Sequence, residues 1–213
     1  MAPNFKNVME AKEKILKGAE ELFLRYGIRS ITMDEIAKHL GMSKKTIYQF
    51  FADKDEMVHT LMREKLNEDE RDFKELSDKA GNFVEEIFLH MKKIGEIVGK
   101  INPNVFYDLQ KYYPQTWKLF RDFKEQCICA MVELSLDKGK KQGLVRKDVN
   151  TKIMARLRLE EIEMGFNPAL YPPEKFRIVE VQLALIEHFL YGICTIKGHK
   201  LVNKHKELEE DEE

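Results

Sequence analysis

The chain has 213 residues, of which 43% are apolar and 34% are charged, and its net charge is −1. This length and composition suit one folded domain or two small ones, and the near-neutral balance excludes a uniformly basic coat for nucleic acid. The charge is unevenly distributed, because residues 1–52 hold nine Lys/Arg and six Asp/Glu, a net +3, which leaves −4 for the remainder. A positive head on a negative body favours oriented encounters with a polyanion.

Two features of the chain bear on its location. Residues 1–17 carry charges throughout and lack the apolar core of a signal peptide, and no apolar run approaches membrane-spanning length. The cysteines are three, Cys127, Cys129 and Cys194, and this odd number gives no reason to expect a disulfide framework. We therefore predict a cytoplasmic protein with no membrane partner.

The first predicted element is an amphipathic helix from about residue 7 to Tyr26, which Gly27 ends. Its apolar residues recur at spacings of three and four, as one face of a helix requires: Val8, Ala11, Ile15, Ala19, Leu22, Phe23 and Tyr26. We expect this face to pack under the two helices that follow.

A short second helix is predicted to begin after Thr32. Thr32 and Glu35 have the spacing of a capping box, in which each side chain satisfies a backbone N–H of the other residue. Three apolar residues then fall on one face of this helix, Ile36, Ala37 and Leu40. Gly41 suits the left-handed residue that ends a helix.

Ser43 is predicted to cap a third helix, in which Ile47, Phe50 and Phe51 face inward. The outward side chains are hydrogen-bond donors that reach phosphates and base edges: Lys44, Lys45, Thr46, Tyr48 and Gln49. In a helix-turn-helix, the second helix enters the major groove of DNA by its N-terminal residues, and its N-terminus attracts phosphate. The two helices therefore predict a helix-turn-helix.

At these positions the sequence resembles the TetR family of bacterial transcriptional regulators, whose DNA-binding signature is matched by Gly41, Ser43, Lys44, Thr46, Ile47, Tyr48, Phe50, Phe51, Lys54 and Asp55. The resemblance implies phosphate contacts from Thr32, Ser43, Thr46, Tyr48 and Lys54, and base-edge contacts from Lys44, Lys45 and Gln49. A solvated side chain is the alternative for Lys54. We predict a DNA-binding domain over residues 1–52 and a helical ligand-binding and dimerisation domain over residues 53–213.

The larger part of the chain also reads as helical, without the alternating pattern of strands. Asp53 and Glu56 form a second capping box before a helix that continues towards Leu76, and Gly81 breaks the pattern. Further helices are predicted over residues 83–98, 103–113, 115–142, 150–164 and 173–197. The fold class is therefore all-α, with about nine helices in total.

An apolar effector pocket is one interpretation of the aromatic residues around Pro103 and Pro114, because clefts open where helices break. The candidate lining residues are Phe88, His90, Met91, Phe106, Tyr107, Gln110, Tyr112, Trp117, Phe120, Phe123 and Cys127. The alternative is that aromatic residues at helical spacing are simply core. We predict no cofactor, and at most a small apolar or aromatic ligand.

The last predicted helix carries apolar residues in a heptad pattern. Successive members are three, four, three, four and three residues apart: Phe176, Val179, Leu183, Ile186, Leu190 and Ile193. The resemblance implies that the last two helices of each subunit form a four-helix dimer interface, and the candidate residues are Phe176, Val179, Leu183, Ile186, Phe189, Leu190 and Ile193. A core helix within one subunit is the alternative. The acidic run at 207–213 is predicted to be a frayed or disordered tail.

Catalysis and metal binding find little support in the sequence. There is no glycine-rich phosphate loop or nucleophile elbow, the histidines are scattered, and Cys127 and Cys129 lie two apart on a helix, where they face different sides. We therefore predict a homodimeric repressor that binds a palindromic DNA operator and is not an enzyme. The alternative is a helical small-molecule-binding or protein-interaction module without specific DNA recognition.

Overall fold

A computed structural model of the chain describes residues 5–98, 101–102, 104–167, 169–172 and 174–210. These residues form eleven α-helices and one π-helical turn at Lys124–Ile128. The helices are α1 Phe5–Tyr26, α2 Met33–Leu40, α3 Lys44–Tyr48, α4 Lys54–Lys79, α5 Phe83–Val98, α6 Asn104–Tyr112, α7 Pro114–Phe123, α8 Cys129–Lys141, α9 Thr151–Gly165, α10 Ile178–Ile193 and α11 Ile196–Glu210. The all-α prediction is confirmed, and the predicted number of helices was too low.

The chain folds into two compact units. Unit 1 contains residues 1–68 and 100–121, and unit 2 contains residues 69–99 and 122–213. Unit 1 therefore includes α6 and most of α7 as well as the three amino-terminal helices. The domain boundary at residue 53 stays a prediction.

The core of unit 1 forms where α1, α2, α3 and the start of α4 meet. Ile15, Ile36, Ile47 and Met57 are fully buried there, one from each helix, and Leu109 of α6 joins the same cluster. The predicted apolar faces of the first three helices therefore pack together, except that Tyr26, predicted on the face of α1, is 48% exposed. Burying such side chains supplies most of the stabilisation of a small helical unit.

Two glycines allow α1 and α2 to take their positions. Gly41 ends α2 in the left-handed conformation, with φ of +64°, and its N–H bonds back to the carbonyls of Ala37 and Lys38. Gly18 lies at a close approach of α1 and α2, because a Cβ at this position would meet Leu40 Cδ2 at 2.5 Å. The first role is readable from sequence, whereas the second depends on the packing of the two helices.

The core of unit 2 is built from α5, α8, α9, α10 and α11. Its buried side chains include Phe83, Leu136, Leu159, Leu190 and Val202, one from each of these helices. The aromatic ring of Phe88 also stacks on His205 at 5.0 Å. Each helix thus buries a stripe of apolar residues against the others.

The helix predicted over residues 173–197 was wrong at both ends. It starts at Ile178 and ends at Ile193, because Cys194 is extended and Thr195 begins α11 by accepting the N–H of Gly198 on its hydroxyl. The backbone N–H of Thr195 also donates to the Leu144 carbonyl at 2.8 Å. A partner from outside the helix therefore holds this break in place.

Two other predicted boundaries change in detail. The long helix predicted over 115–142 is divided into α7, the π-helical turn and α8. The predicted tail partly belongs to α11, which continues to Glu210, and residues 211–213 lie outside the described residues. Pro103, the first residue of the helix predicted over 103–113, lies outside them, and so does Pro168, which follows the helix predicted over 150–164.

Candidate nucleic-acid interface

Thr32 has the predicted capping geometry at the start of α2. Its hydroxyl accepts the N–H of Glu35, and the Glu35 carboxylate accepts the backbone N–H of Thr32 at 2.7 Å. These hydrogen bonds lower the pKa of the Glu35 carboxyl. The Thr32 hydroxyl therefore already serves the helix, and a phosphate contact from this residue would reuse an engaged group.

Ser43 caps α3 as predicted, because its hydroxyl accepts the N–H of Thr46 at 3.1 Å. The Ser43 and Thr46 hydroxyls also lie 2.7 Å apart. Ile47 is buried beneath this turn, which orients the rest of the helix. The helix ends at Tyr48, before Phe50 and Phe51, which were predicted to lie within it, since Gln49 is its C-terminal cap.

The outward side of α3 presents the predicted polar side chains to solvent. Lys44, Lys45 and Gln49 are exposed, and the Tyr48 side chain is 44% exposed. The four residues lie on a helix of five residues and its cap, so their side chains leave one short segment together. This is the chemistry that base edges and phosphates require.

Lys44 is held in place by two groups of the same unit. Its Nζ lies 2.7 Å from Oδ1 of Asp34, in the first turn of α2, and 6.0 Å from the centre of the Tyr48 ring. The hydrogen bond to Asp34 raises the pKa of the Lys44 ammonium. No ion pair of Lys45 is seen within the part of the chain that the structure describes.

Lys54 differs from the other candidate lysines, because its side chain is only partly exposed. Its Nζ lies 3.5 Å from the Arg29 carbonyl and 5.8 Å from the centre of the Phe23 ring, and burial lowers its pKa.

The second predicted capping box, at the start of α4, is partly wrong. Asp53 accepts the Glu56 N–H as predicted, but the Glu56 carboxylate accepts the backbone N–H of Ala52 instead of that of Asp53.

Residues 15–61 match the family model of bacterial regulatory proteins of the tetR family. The matched range contains α2, α3 and every candidate DNA-contact residue described above. This match assigns residues 15–61 to a TetR-type DNA-binding domain. The chain is therefore a TetR-like DNA-binding transcriptional regulator, as predicted, and regulators of the TetR family bind operator DNA, dimerise and are not enzymes.

The relatives agree with this assignment. The chain is 24% identical to the uncharacterized HTH-type transcriptional regulator YvaF of Bacillus subtilis over 168 residues, which cover 77% of this chain and 86% of that protein. It is 33% identical to the HTH-type transcriptional regulator SAB2452 of Staphylococcus aureus over 73 residues, 34% of this chain and 40% of that protein.

The solved structures support the fold over most of the chain. A TetR-family transcriptional regulator from Agrobacterium tumefaciens superimposes with a TM-score of 0.71 at 16% identity, covering 88% of this chain and 99% of that one. At this identity the likeness concerns the fold, and it extends well beyond the matched amino-terminal range.

The predicted pocket residues divide between the two units. In unit 1, the Trp117 ring stacks on the Phe120 ring with their centres 5.3 Å apart. The centre of the Phe106 ring lies 5.9 Å from that of Phe120. Tyr107 and Tyr112 meet edge to face at 6.5 Å. The remaining candidate of this unit is an exposed polar residue, Gln110.

In unit 2, the candidate pocket residues lie among core contacts. Phe88 is buried, Met91 packs against the core cluster, and Phe123 and Cys127 are half-buried. His90 Nε2 lies 3.1 Å from both Ser77 Oγ and the Phe73 carbonyl oxygen. This nitrogen has internal partners, so His90 is a weaker candidate for anchoring a ligand than the sequence indicated.

The predicted dimer seam does not form one outward face. Ile186, Phe189, Leu190 and Ile193 are buried in the core of their own unit, which agrees with the alternative of a core helix within one subunit. Their place in a dimer interface stays a prediction. Three candidates remain at least partly accessible: Phe176, Val179 and Leu183. A heptad pattern shows that a helix packs, but it does not show which chain it packs against.

Sequence reasoning missed an exposed apolar stripe on the neighbouring helix. Ile153, Leu157 and Met164 of α9 are 59%, 44% and 36% exposed. Their spacings of four and seven put them on one side of the helix, which was a readable signal.

Two further properties concern the described residues only. No helix among them has the length and apolar character needed to cross a membrane. The same part of the chain holds no group of three or more His, Cys, Asp or Glu placed to bind a metal ion.

Proposed function

We propose that this regulator is a homodimeric repressor that acts in the cytoplasm and binds a palindromic operator with α3 of each subunit in the major groove. The observation that carries the proposal is the exposed set on α3, Lys44, Lys45, Tyr48 and Gln49, on a buried Ile47. A twofold dimer predicts half-sites about 34 Å apart, or a multiple of that distance.

The contacts divide into two classes in this proposal. Tyr48, Thr46 and Ser43 contact phosphates, which position the helix without reading sequence. Lys44, Lys45 and Gln49 reach base edges, where lysine suits guanine and glutamine suits adenine. Thr32 and Lys54 complete the phosphate contacts, although each first exchanges an internal partner for the phosphate.

The subunits pair through the outward sides of α9 and α10. Leu157 and Ile153 of α9 and Val179 of α10 supply exposed apolar surface, and α9 and α10 contact each other within unit 2. Exposed apolar residues that recur along adjacent helices are the usual sign of a subunit interface. The likeness to TetR-family regulators supports a dimer as such, and the exposed residues support this face.

An apolar or aromatic small molecule is the effector that suits the aromatic residues of unit 1, on α6 and at Trp117 and Phe120 of α7. The likeness to TetR-family regulators supports the binding of a small-molecule effector in general. A ligand changes operator affinity only as far as it binds one conformation more tightly than the other. Thermal unfolding with a panel of aromatic and aliphatic compounds tests this step, because a ligand of the folded state raises the melting temperature.

Selection of bound duplexes from a random library tests the main proposal. The expected result is an enriched palindrome that the full-length protein binds with a strong dependence on salt concentration. Binding without any sequence preference would contradict it and would favour the alternative, a helical ligand-binding or interaction module. A reporter gene placed behind the enriched site then separates repression from activation.

A further inference from the structure

We propose that Asp34 determines specificity at the DNA interface by holding Lys44 in position to read a base and keeping it from the phosphate backbone. The inference rests on the proposed placement of α3 in the major groove. It assigns a function to an acidic residue at the edge of an interface that is otherwise made of hydrogen-bond donors.

The geometry confines the Lys44 ammonium between two helices. Nζ lies 2.7 Å from Asp34 Oδ1 and 6.0 Å from the centre of the Tyr48 ring. Asp34 is itself in the first turn of α2, where the helix dipole favours a carboxylate. A carboxylate on one side and an aromatic face on the other restrict where this lysine extends.

The neighbouring lysine gives the comparison that makes the pair informative. Lys45 is exposed and shows no ion pair in the described parts of the chain, so it is available to any phosphate within reach. Lys44 has the same charge, but Asp34 neutralises it locally. On non-specific DNA we therefore expect Lys45, and not Lys44, to contribute to the release of counterions.

A matching base edge changes this balance for Lys44. The O6 and N7 atoms of guanine offer two acceptors in the major groove and compete with one exposed carboxylate. An exposed ion pair is weak, so its exchange for base acceptors costs little. A single phosphate on non-specific DNA is a weaker partner for Lys44 than the two acceptors of guanine, and the Asp34 carboxylate repels the phosphate. Asp34 therefore weakens non-specific binding more than operator binding.

The direct test compares wild-type protein with Asp34→Asn on the selected operator and on a scrambled duplex of equal length. We expect the affinity for the scrambled duplex to rise about five- to tenfold at ~0.1 M salt, with the salt slope steeper by about 0.9, the effect of one added phosphate contact. Operator affinity should change less than threefold, so the specificity ratio falls.

A double-mutant cycle tests whether Asp34 acts through Lys44. In a Lys44→Gln background, Asp34→Asn should no longer raise the affinity for the scrambled duplex, whereas in the matched Lys45→Gln background it still should. Glu13→Gln on α1 removes an exposed carboxylate elsewhere in unit 1 and serves as the control for net charge.

Two outcomes would overturn the proposal. An equal gain on both duplexes that persists without Lys44 would mean only long-range repulsion. A loss of operator affinity above tenfold, with scrambled binding unchanged, would mean that Asp34 itself contacts a base. If Asp34→Asn lowers the melting temperature, Asp34→Ser provides a second variant. Failure of the wild-type protein to prefer any operator would instead refute the proposed function.

Discussion

The backbone N–H of Arg29 donates to Oδ2 of Asp108 at 2.8 Å, across 79 residues of sequence. Arg29 follows α1, and Asp108 is a buried residue of α6, so this bond joins two distant segments of unit 1. Asn102 adds two more bonds, because its N–H donates to the Leu24 carbonyl and its side-chain amide to the Arg25 carbonyl. The C-terminal end of α1 and the residues after it are therefore hydrogen-bonded by Asn102, which lies just before α6, and by Asp108, which belongs to α6.

Asp108→Ala should destabilise unit 1, because it leaves the Arg29 N–H without its acceptor and removes a buried side chain. We expect the free energy of unfolding in urea to fall by about 1–3 kcal/mol. Hydrogen exchange at the Arg29 amide should also become faster. Glu13→Ala, which truncates an exposed carboxylate, is the control, and an equal effect of both would show that the bond adds no stability.

Tyr48→Ala and Gln49→Ala should have different effects on DNA binding. Tyr48 is proposed to contact phosphate, so its truncation should weaken operator and variant sites alike. Gln49 is proposed to reach a base edge, so its truncation should cost about 1–3 kcal/mol at one position and relax the preference there. Binding to a set of single-base operator variants measures both effects. A uniform loss from both substitutions would contradict this assignment.

Leu157→Glu should convert the dimer to a monomer, since it places a charge on the exposed apolar side of α9. Sedimentation equilibrium measures the mass, and operator affinity should fall with it. Met9→Glu is the matched control, because it also replaces an exposed apolar residue but lies on α1. Leu190→Glu would be uninformative about the interface, because this residue is fully buried and the substitution would disrupt the core.

His90 should make the stability of the protein depend on pH. Burial lowers its pKa below the ordinary value of 6.5, while the contact with the Phe73 carbonyl opposes this shift. The unfolded chain therefore binds more protons between the folded pKa and 6.5, and the free energy of unfolding falls as the pH drops through that window. Above 6.5 this contribution is fully present.

His90→Gln should remove that part of the pH dependence. Urea unfolding of the variant and the wild-type protein at a series of pH values between about 5 and 8 measures the difference. His39→Gln replaces an exposed histidine and serves as the matched control. A profile that His90→Gln does not alter would show that the buried imidazole is not responsible.

Local chemistry in the sequence determined the structure of the helix-turn-helix formed by α2 and α3. The capping residues Thr32 and Ser43, the left-handed Gly41 and the apolar spacing around Ile47 each specify structure over a few residues, so the helix-turn-helix and its outward side chains were predictable. Asn150, the first residue of the helix predicted over 150–164, caps α9 by accepting the N–H of Ile153 on its side chain. These features need no knowledge of distant residues.

Only the tertiary structure decided which partner each apolar or polar group meets. The pattern around Leu190 predicted a packed helix, but contacts between distant segments buried it in its own unit and left Leu157 exposed. The bonds from Asp108 and Asn102 join residues about eighty positions apart, and the Asp34–Lys44 pair depends on how α2 meets α3. Periodicity and capping act over one or two helical turns, whereas pairing across the chain follows from the packing of whole helices.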